Sequence, residues 1–450
     1  MKRYYYSFIF IIIALVSCGK EFLDAKPDLA LVVPHTVKDL QAILDNTVIM
    51  NNNTPFLGEL SAGDNDIQPN RYQTIQVQER NAFIWAKEVY ETSLVNDWDW
   101  SYRRIFYANQ ALEGLARISE DKKGDAEYEL AKGSALFFRA LTFNQLAQQF
   151  CKPYIQSSAS SDLGIPLRLE SNINVKTTRA TVKQTYDQII GDAKLAARYL
   201  PSSAHVKTRP SRQAAFALLS ATFLQMQDYQ NARLYADSCL AIGAGLTDYN
   251  SVKPAGAFTF QQFSPEVMFH SSILHGHGFN VANLDVSKEL YQQYGANDLR
   301  KSLFFKVTGS VINYIGSYTG AREFFGGFAL NEMYLIQAEC LARSGNRAEA
   351  LKYLNTLLAK RWKTGTFTPL TASTDEDALK LVLTERRKEL VFTGRRWSDL
   401  RRLNQDPKFA VTLSRTIGTI VYTLTPNSPL YVLPIPQDVI AMSAVEQNPR

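Results

Sequence analysis

Residues 330–360 read LNEMYLIQAECLARSGNRAEALKYLNTLLAK, and this stretch indicates the fold class of the chain. Its apolar residues recur at helical spacing, the triplet Ser344-Gly345-Asn346 interrupts them, and the same spacing resumes at Ala350. The pattern predicts a helical hairpin. Leu335 and Cys340 add apolar surface beside the main stripe, so the first helix should be covered on two sides, as in stacked helical repeats.

Comparable helical patterns recur along the chain. They cover residues 37–44, 102–116, 130–146, 182–200, 214–224, 229–240 and 376–392. The helix after Thr181 has both ends marked, because Thr181 and Gln184 form a capping box and Pro201 follows the last turn. The tail, which contains Pro434, Pro436 and Pro449, predicts no regular helix.

These segments predict a mainly α fold of about four tetratricopeptide-like helix pairs, supporting a loop-rich face with a few short strands. We expect the helical scaffold at about residues 97–242 and 329–403. Loop-rich regions for ligand or partner should lie at about residues 45–96, 243–328 and 404–450, because binding residues concentrate in loops held by a rigid scaffold.

The N-terminus carries an export signal. Lys2 and Arg3 precede an apolar run over residues 8–16, which is far shorter than the roughly 20 residues of a membrane-spanning helix. The following Leu15-Val16-Ser17-Cys18 resembles a bacterial lipobox, in which the cysteine receives the lipid. We therefore expect residues 1–17 to be a lipoprotein signal peptide and Cys18 to anchor the mature protein, since two acyl chains hold a protein stably on a membrane.

Composition narrows the function class. The chain has 450 residues, 46% of them hydrophobic and 20% charged, which is typical of a folded globular protein. A net charge of +6, scattered along an exported chain, argues against nucleic-acid binding. Apart from Cys18 there are only three cysteines, and buried apolar roles for them are favoured over a disulfide set or a metal site.

Several sequence blocks together resemble the SusD/RagB family of outer-membrane nutrient-binding lipoproteins. They are Tyr102-x-x-Ile105 with Asn109, Phe138-Arg139-Ala140-Leu141, Arg179-Ala180-Thr181, the segment from Glu332 to Glu339, Glu385-Arg386-Arg387-Lys388-Glu389-Leu390, Gly394-Arg395-Arg396-Trp397, Leu433-Pro434-Ile435-Pro436 and Gln447-Asn448-Pro449. The resemblance implies four tetratricopeptide-like pairs, and we expect no cofactor. It also implies a SusC/RagA-like TonB-dependent barrel transporter, over which the protein acts as a lid and delivers an oligosaccharide or, in some members, a peptide.

Candidate ligand contacts are chosen from the loops, since flat aromatic rings stack on sugar faces and amide or carboxylate groups hydrogen-bond beside them. The predicted contacts are Asp64, Asn65, Asp66, Tyr72, Trp85, His275, Tyr314, Tyr318 and Arg322. His275 and His277 would share one face of a strand. No third metal ligand follows at a spacing typical of metal sites, so no metal site is predicted.

Paired carboxylates invite an enzymatic interpretation, because glycoside hydrolysis uses two carboxyl groups. Glu385 and Glu389 lie among basic residues, however, and we expect a structural ion-pair network there and no enzyme activity. Three other hypotheses remain: the same lid role with peptide or other non-glycan cargo, a lipid-anchored glycan hydrolase, and a helical-repeat assembly factor on the inner face of the membrane.

Overall fold

The computed structural model describes residues 34–90, 96–176, 178–243, 245–254, 256–273 and 284–450. The signal peptide predicted over residues 1–17, the lipid-bearing Cys18 and the candidate contact His275 lie outside these residues. Their assignments therefore stay predictions.

Helices dominate the described part of the chain. Their bounds are α1 Val37–Leu44, α2 Thr47–Met50, α3 Leu57–Ser61, α4 Pro69–Tyr72, α5 Val77–Phe83, α6 Asp97–Ala116, α7 Ala126–Phe150, α8 Val182–Tyr199, α9 Arg212–Gln225, α10 Tyr229–Ala241, α11 Lys288–Gln292, α12 Arg300–Phe304, α13 Leu330–Arg343, α14 Arg347–Ala359, α15 Asp375–Glu389, α16 Arg396–Leu403 and α17 Gln437–Ser443. Within the described ranges, none of these helices combines the length and apolar character needed to span a membrane.

The strands are short and form two-stranded antiparallel pairs. Their bounds are β1 Asn65–Asp66, β2 Leu163–Pro166, β3 Arg179–Thr181, β4 Val267–Phe269, β5 Asp285–Val286, β6 Phe305–Thr308, β7 Val311–Tyr314, β8 Phe328–Ala329, β9 Leu413–Ile417 and β10 Ile420–Leu424. The pairs are β1 with β5, β2 with β3, β4 with β8, β6 with β7, and β9 with β10. The mainly α fold with a few short strands is therefore confirmed.

Among the described residues, eight helices of 13 or more residues build the scaffold, which is the number that four pairs require. Helices α6 to α10 pack each on the next, α10 packs on α13, and α13 contacts both α14 and α15. The first helix of the opening hairpin is covered on two sides as expected, because Leu335 belongs to one apolar cluster and Ile336 and Cys340 to another. Stacking buries faces that no single hairpin could bury alone.

Local sequence signals set the ends of these helices. Thr181 accepts a hydrogen bond from the backbone N–H of Gln184, and the side chain of Gln184 accepts one from Thr181 in return, so the predicted capping box is confirmed. Asn96 forms the same kind of box with Asp99 at the start of α6. Gly345, with φ of +78°, makes the turn between α13 and α14, a conformation that glycine adopts without strain.

The tail differs from its sequence prediction. Helix α17 follows Pro436, and the hairpin of β9 and β10 precedes it, where an extended tail without regular helix was expected. The expectation was wrong because proline is well tolerated just before or at the first turn of a helix. The seven residues after Pro436 contain no other proline.

Candidate functional site

The first group of predicted ligand contacts lies mostly in the core. Asp64 is 1% exposed, and one of its carboxylate oxygens forms an ion pair of 2.8 Å with Arg387. Asn65 is also buried and accepts a hydrogen bond of 2.9 Å from Arg415. Asp66 remains exposed, with one carboxylate oxygen accepting a hydrogen bond from the N–H of Ile67. Two of these three side chains therefore support the fold in the conformation described.

Tyr72 and Trp85 belong to the buried surroundings of Arg415. The guanidinium of Arg415 lies 3.7 Å from the ring centre of Phe83 and 4.9 Å from that of Trp85, which is cation–π geometry. Burial lowers the pKa of Arg415 to about 9. Trp85 donates its indole N–H to the carbonyl of Ser61, and Tyr72 packs near Phe83. This cluster fastens the β9–β10 hairpin to the N-terminal helices.

Tyr314 and Tyr318 stand in an aromatic core cluster. The hydroxyl of Tyr318 is 2.7 Å from that of Tyr249, and the ring of Tyr314 lies 5.1 Å from that of Phe392. A cavity of about 20 Å³ beside both tyrosines is too small for a sugar. Arg322 is exposed. The structure thus brings the two tyrosines together under the surface and leaves Arg322 and Asp66 available to solvent.

The carboxylates considered for catalysis are held in ion pairs. Glu385 contacts Arg300 at 2.6 Å and Glu389 contacts Arg361 at 2.8 Å, both across to other segments of the chain. Glu332 is paired with Arg395. Burial alone would raise the pKa of Glu339, but Arg402 and Arg343 more than offset it and lower that pKa to about 2. The predicted structural network is present, and it joins α13 and α15 to the surrounding loops.

The other chemical groups fit structural roles. Cys151, Cys239 and Cys340 are buried free thiols. Across the ranges that the structure describes, no group of three or more His, Cys, Asp and Glu side chains could hold a metal ion.

An open cleft of about 590 Å³ lies between α6, the loop of residues 166–176 and residues 439–445 of the tail. Its floor is one face of α6, where residues four apart project together. That face carries Trp98, Tyr102 and Phe106 at successive turns, and the rings of Trp98 and Tyr102 are 4.7 Å apart. Phe150 packs edge-on against Trp98 from behind at 5.0 Å. Trp98, the first ring of this floor, is therefore packed against the core.

Hydrogen bonds from α6 hold the loop wall of the cleft. Tyr102 donates its hydroxyl proton to the carbonyl of Pro166 at 2.8 Å, and burial raises the pKa of this hydroxyl well above its usual value. The amide of Asn109 donates to the carbonyls of Arg168 and Glu170. Arg168 in turn donates to the carbonyl of Val175, which closes the loop on itself.

The rim of the cleft is apolar and exposed. Ile173 is 76% exposed on the loop side, and Met442 is 80% exposed on the tail side. Lys176 and Glu170 supply charges at the edge. A cleft of this volume, with an aromatic floor and a mixed rim, can take an amphipathic ring such as a pyranose, which has an apolar C–H face and a polar edge.

Sequence reasoning missed this site. Tyr102 and Phe106 were read as marks of a scaffold helix, although an aromatic residue at every fourth position, from Trp98 onward, was a visible signal. Ile173 and Met442 gave no signal, because their nearness depends on how distant segments pack.

Comparison with known proteins assigns the chain to a family. Two family models match the chain, one described as "Starch-binding associating with outer membrane" over residues 21–224 and one described as "SusD family" over residues 317–450. The chain belongs to the SusD/RagB family. A curated relative of this family, SusD-like protein P2 of Formosa agariphila, is 24% identical over 476 residues, which cover 90% of this chain and 91% of the relative.

Solved structures of SusD proteins share the fold. A SusD superfamily protein from Bacteroides thetaiotaomicron superposes with a TM-score of 0.76 at 22% identity, covering 92% of this chain and 100% of that one. A surface glycan-binding protein A from Bacteroides uniformis gives a TM-score of 0.67 at 16% identity, covering 92% and 99%. A SusD-like carbohydrate binding protein from Bacteroides vulgatus gives 0.68 at 17% identity, covering 91% and 97%.

Proposed function

We propose that this SusD/RagB protein is a non-enzymatic, surface-exposed nutrient-binding lipoprotein. It captures an oligosaccharide and delivers it to a SusC/RagA-like TonB-dependent transporter of the outer membrane, over which it acts as a lid. Cys18 anchors it in that membrane, facing the exterior, after residues 1–17 are removed. The scaffold of about residues 97–242 and 329–403 carries the loops that meet ligand and partner.

The aromatic cleft supports this proposal most directly. Its volume of about 590 Å³ lies in the range of ligand sites, and Tyr102 and Phe106 are half-buried, so each keeps part of its ring accessible. Two of the similar solved proteins are described as glycan-binding or carbohydrate-binding. Asp66 and Arg322 remain predicted contacts for parts of a longer ligand.

Substitution of the cleft floor tests the binding step. Oligosaccharides of several linkages and a pool of peptides are titrated against the purified protein by calorimetry. Phe106→Ala should weaken sugar binding by up to about tenfold, since an aromatic contact contributes about 0.5–1.5 kcal/mol beyond its buried area. Phe216→Ala, on a half-buried ring of α9 outside the cleft, is the control and should leave affinity unchanged. Equal affinities for the two variants would contradict the proposed site.

Peptide cargo is the second candidate, because the exposed side chains of Ile173 and Met442 would also contact apolar peptide side chains. If only the peptide pool releases heat in the calorimetric titration, the cargo is a peptide and not an oligosaccharide.

The transporter role needs its own experiment. Mild-detergent extraction of outer membranes should yield a barrel protein that co-purifies with this chain, and its absence would contradict the lid role. Incubation with polysaccharide should release no product. Release that disappears on replacing one glutamate would favour the hydrolase hypothesis.

A further inference from the structure

A partly enclosed cavity of about 50 Å³, rich in amide side chains, lies where four parts of the chain meet. The residues that line it come from α3 and the segment before it, α7, the end of α9, and the first turn of α16 with the residues just before it. They include Glu59 and Trp397, together with the amide side chains Asn144, Gln145, Gln148, Gln149 and Gln225. Such a density of amide side chains at a helix junction is unlike the apolar packing around it, and each of these polar groups requires a partner.

Most of the amides satisfy one another. Gln225 accepts hydrogen bonds from Asn144 at 2.7 Å and from Gln148 at 2.9 Å. Gln145 accepts one of 2.9 Å from Arg104. These bonds fix the amide side chains of α7 against α9 and α6, so the cavity has a preformed polar wall.

Three other lining residues keep polar atoms without a hydrogen-bonding partner among the described residues. They are Glu59 with both carboxylate oxygens, Gln149 with its side-chain oxygen and Trp397 with its indole N–H. All three side chains are buried, with exposures of 3%, 5% and 3%. The backbone N–H of Gly394 also faces the carboxyl group of Glu59. A buried polar atom without a partner costs about 1–3 kcal/mol, so atoms gathered at one cavity point to a bound polar ligand.

We propose that this cavity binds a small cluster of ordered water molecules that bridges Glu59, Gln149 and Trp397. A volume of about 50 Å³ holds about three waters, since each needs at least 10–15 Å³. Two carboxyl oxygens, an amide oxygen and an indole N–H are the kind of surroundings in which a buried water finds its two to four partners. Water thereby completes the hydrogen bonding of α3, α7 and α16 at their common contact.

The charges around Glu59 favour water over a cation. Arg395 and Arg396 both face this carboxyl group, and each also approaches another acid, Arg395 at Glu332 and Arg396 at Asp64. Asp64 also acts on Glu59, as a negative charge that raises its pKa. A cation in the cavity would stand beside two guanidinium groups. Water is uncharged and is not repelled by these guanidinium groups. It can also accept a hydrogen bond from the O–H of a neutral carboxyl group.

The pH dependence of stability follows from the same surroundings. Burial, followed by the repulsion from Asp64, raises the pKa of Glu59 to about 8, although Arg396 and Arg395 oppose the shift. The folded protein therefore holds a proton that the unfolded chain loses near pH 4.5. The contribution of Glu59 to the free energy of unfolding is fully present below pH 4.5 and is lost as pH rises to about 8.

Crystallography and two variants test the proposal. A high-resolution structure of the purified protein should show ordered water density within hydrogen-bonding distance of Glu59 and Gln149. Glu59→Gln keeps the shape and the polar atoms, so its structure should retain the waters. The unfolding midpoint of Glu59→Gln, measured relative to that of the wild type, should increase as pH rises from 4.5 to 8. Glu59→Met, of similar length but apolar, should lose the waters next to residue 59.

Each result decides the matter. A cavity closed by side-chain movement, without density, would overturn the proposal. So would density at metal–oxygen distances together with a midpoint that depends on the choice of potassium or sodium, because that outcome identifies a monovalent cation. If neither variant folds, the wild-type structure and the wild-type pH series still decide. This test involves neither oligosaccharide nor transporter, so its failure leaves the proposed function untouched.

Discussion

Arg139 of α7 and Asp192 of α8 form a two-pronged ion pair, with Nε to Oδ2 at 2.7 Å and Nη2 to Oδ1 at 2.8 Å. The third nitrogen of Arg139 donates to the amide oxygen of Asn109, whose own amide nitrogen holds the loop at Arg168. A chain of hydrogen bonds thus connects this ion pair, through Asn109 of α6, to the loop wall of the aromatic cleft. Positioning of that loop depends on the scaffold as well as on the loop itself.

Removal of Asp192 should be strongly destabilising. Asp192→Ala leaves the guanidinium of Arg139 buried without its acid, which typically costs about 3–5 kcal/mol. Urea unfolding monitored by circular dichroism measures the loss. Asp187→Ala, on the same helix, removes an exposed pair with Lys183 and should change the midpoint little. Equal losses for the two variants would show that the buried pair has no special role.

Two helix glycines should respond to alanine in opposite directions. A Cβ at Gly133 of α7 would lie 2.8 Å from Cγ of Leu200 and 3.2 Å from its backbone nitrogen, so Gly133→Ala should cost about 1–3 kcal/mol. At Gly191 of α8 a Cβ meets nothing within 4 Å, so Gly191→Ala should stabilise by about 0.5–1 kcal/mol. Thermal melts of both variants test the sign. A loss at Gly191 would contradict the packing described for α8.

Acid should weaken the contact of Glu339 with Arg402. Because the pKa of Glu339 is lowered to about 2, its stabilising effect is present above pH 4.5 and disappears as pH falls towards 2. A shift of this size corresponds to about 3 kcal/mol, and Glu339→Gln should remove that part of the pH dependence.

Glu376 provides the exposed comparison. Its pKa is also lowered to about 2, by hydrogen bonds from Lys408 and Lys380, but the group is fully exposed. The effect of Glu376→Gln should vanish in high salt, whereas that of Glu339→Gln should persist, since buried pairs are screened far less. Salt sensitivity of both would contradict the burial of Glu339.

Gln447 should control the tail wall of the cleft. Its side chain accepts a hydrogen bond from the N–H of Ile435 and donates one to the carbonyl of Ile435, each at 2.8 Å, which closes the base of the α17 segment. No side chain of α17 is fully buried. Gln447→Ala should therefore speed amide hydrogen exchange within α17, with little change in α13. Gln405→Ala, which removes an exposed contact with Asn427, is the control. Faster exchange in both variants would show that the Gln447–Ile435 hydrogen bonds have no special role.

The helices were predictable because their signals are local. The capping box at Thr181, the turn at Gly345 and the apolar spacing of residues 330–360 each act within a few positions of the chain. The predicted ligand contacts were less accurate, because several of them are buried and not at the surface. Trp85 and Tyr314 were selected as loop aromatics, yet both are packed in the core, because a sequence pattern without periodicity does not tell a buried loop ring from an exposed one.

The helical class, the hairpins and the family can be inferred from the sequence, since periodicity, caps and the order of short blocks are properties of neighbouring residues. Which segments meet depends on tertiary packing. Tyr102 reaches Pro166 across 64 positions, and Arg139 reaches Asp192 across 53. The cleft and the polar cavity exist because packing brings such distant segments together, and the energy of those contacts depends on burial and geometry that no local pattern contains.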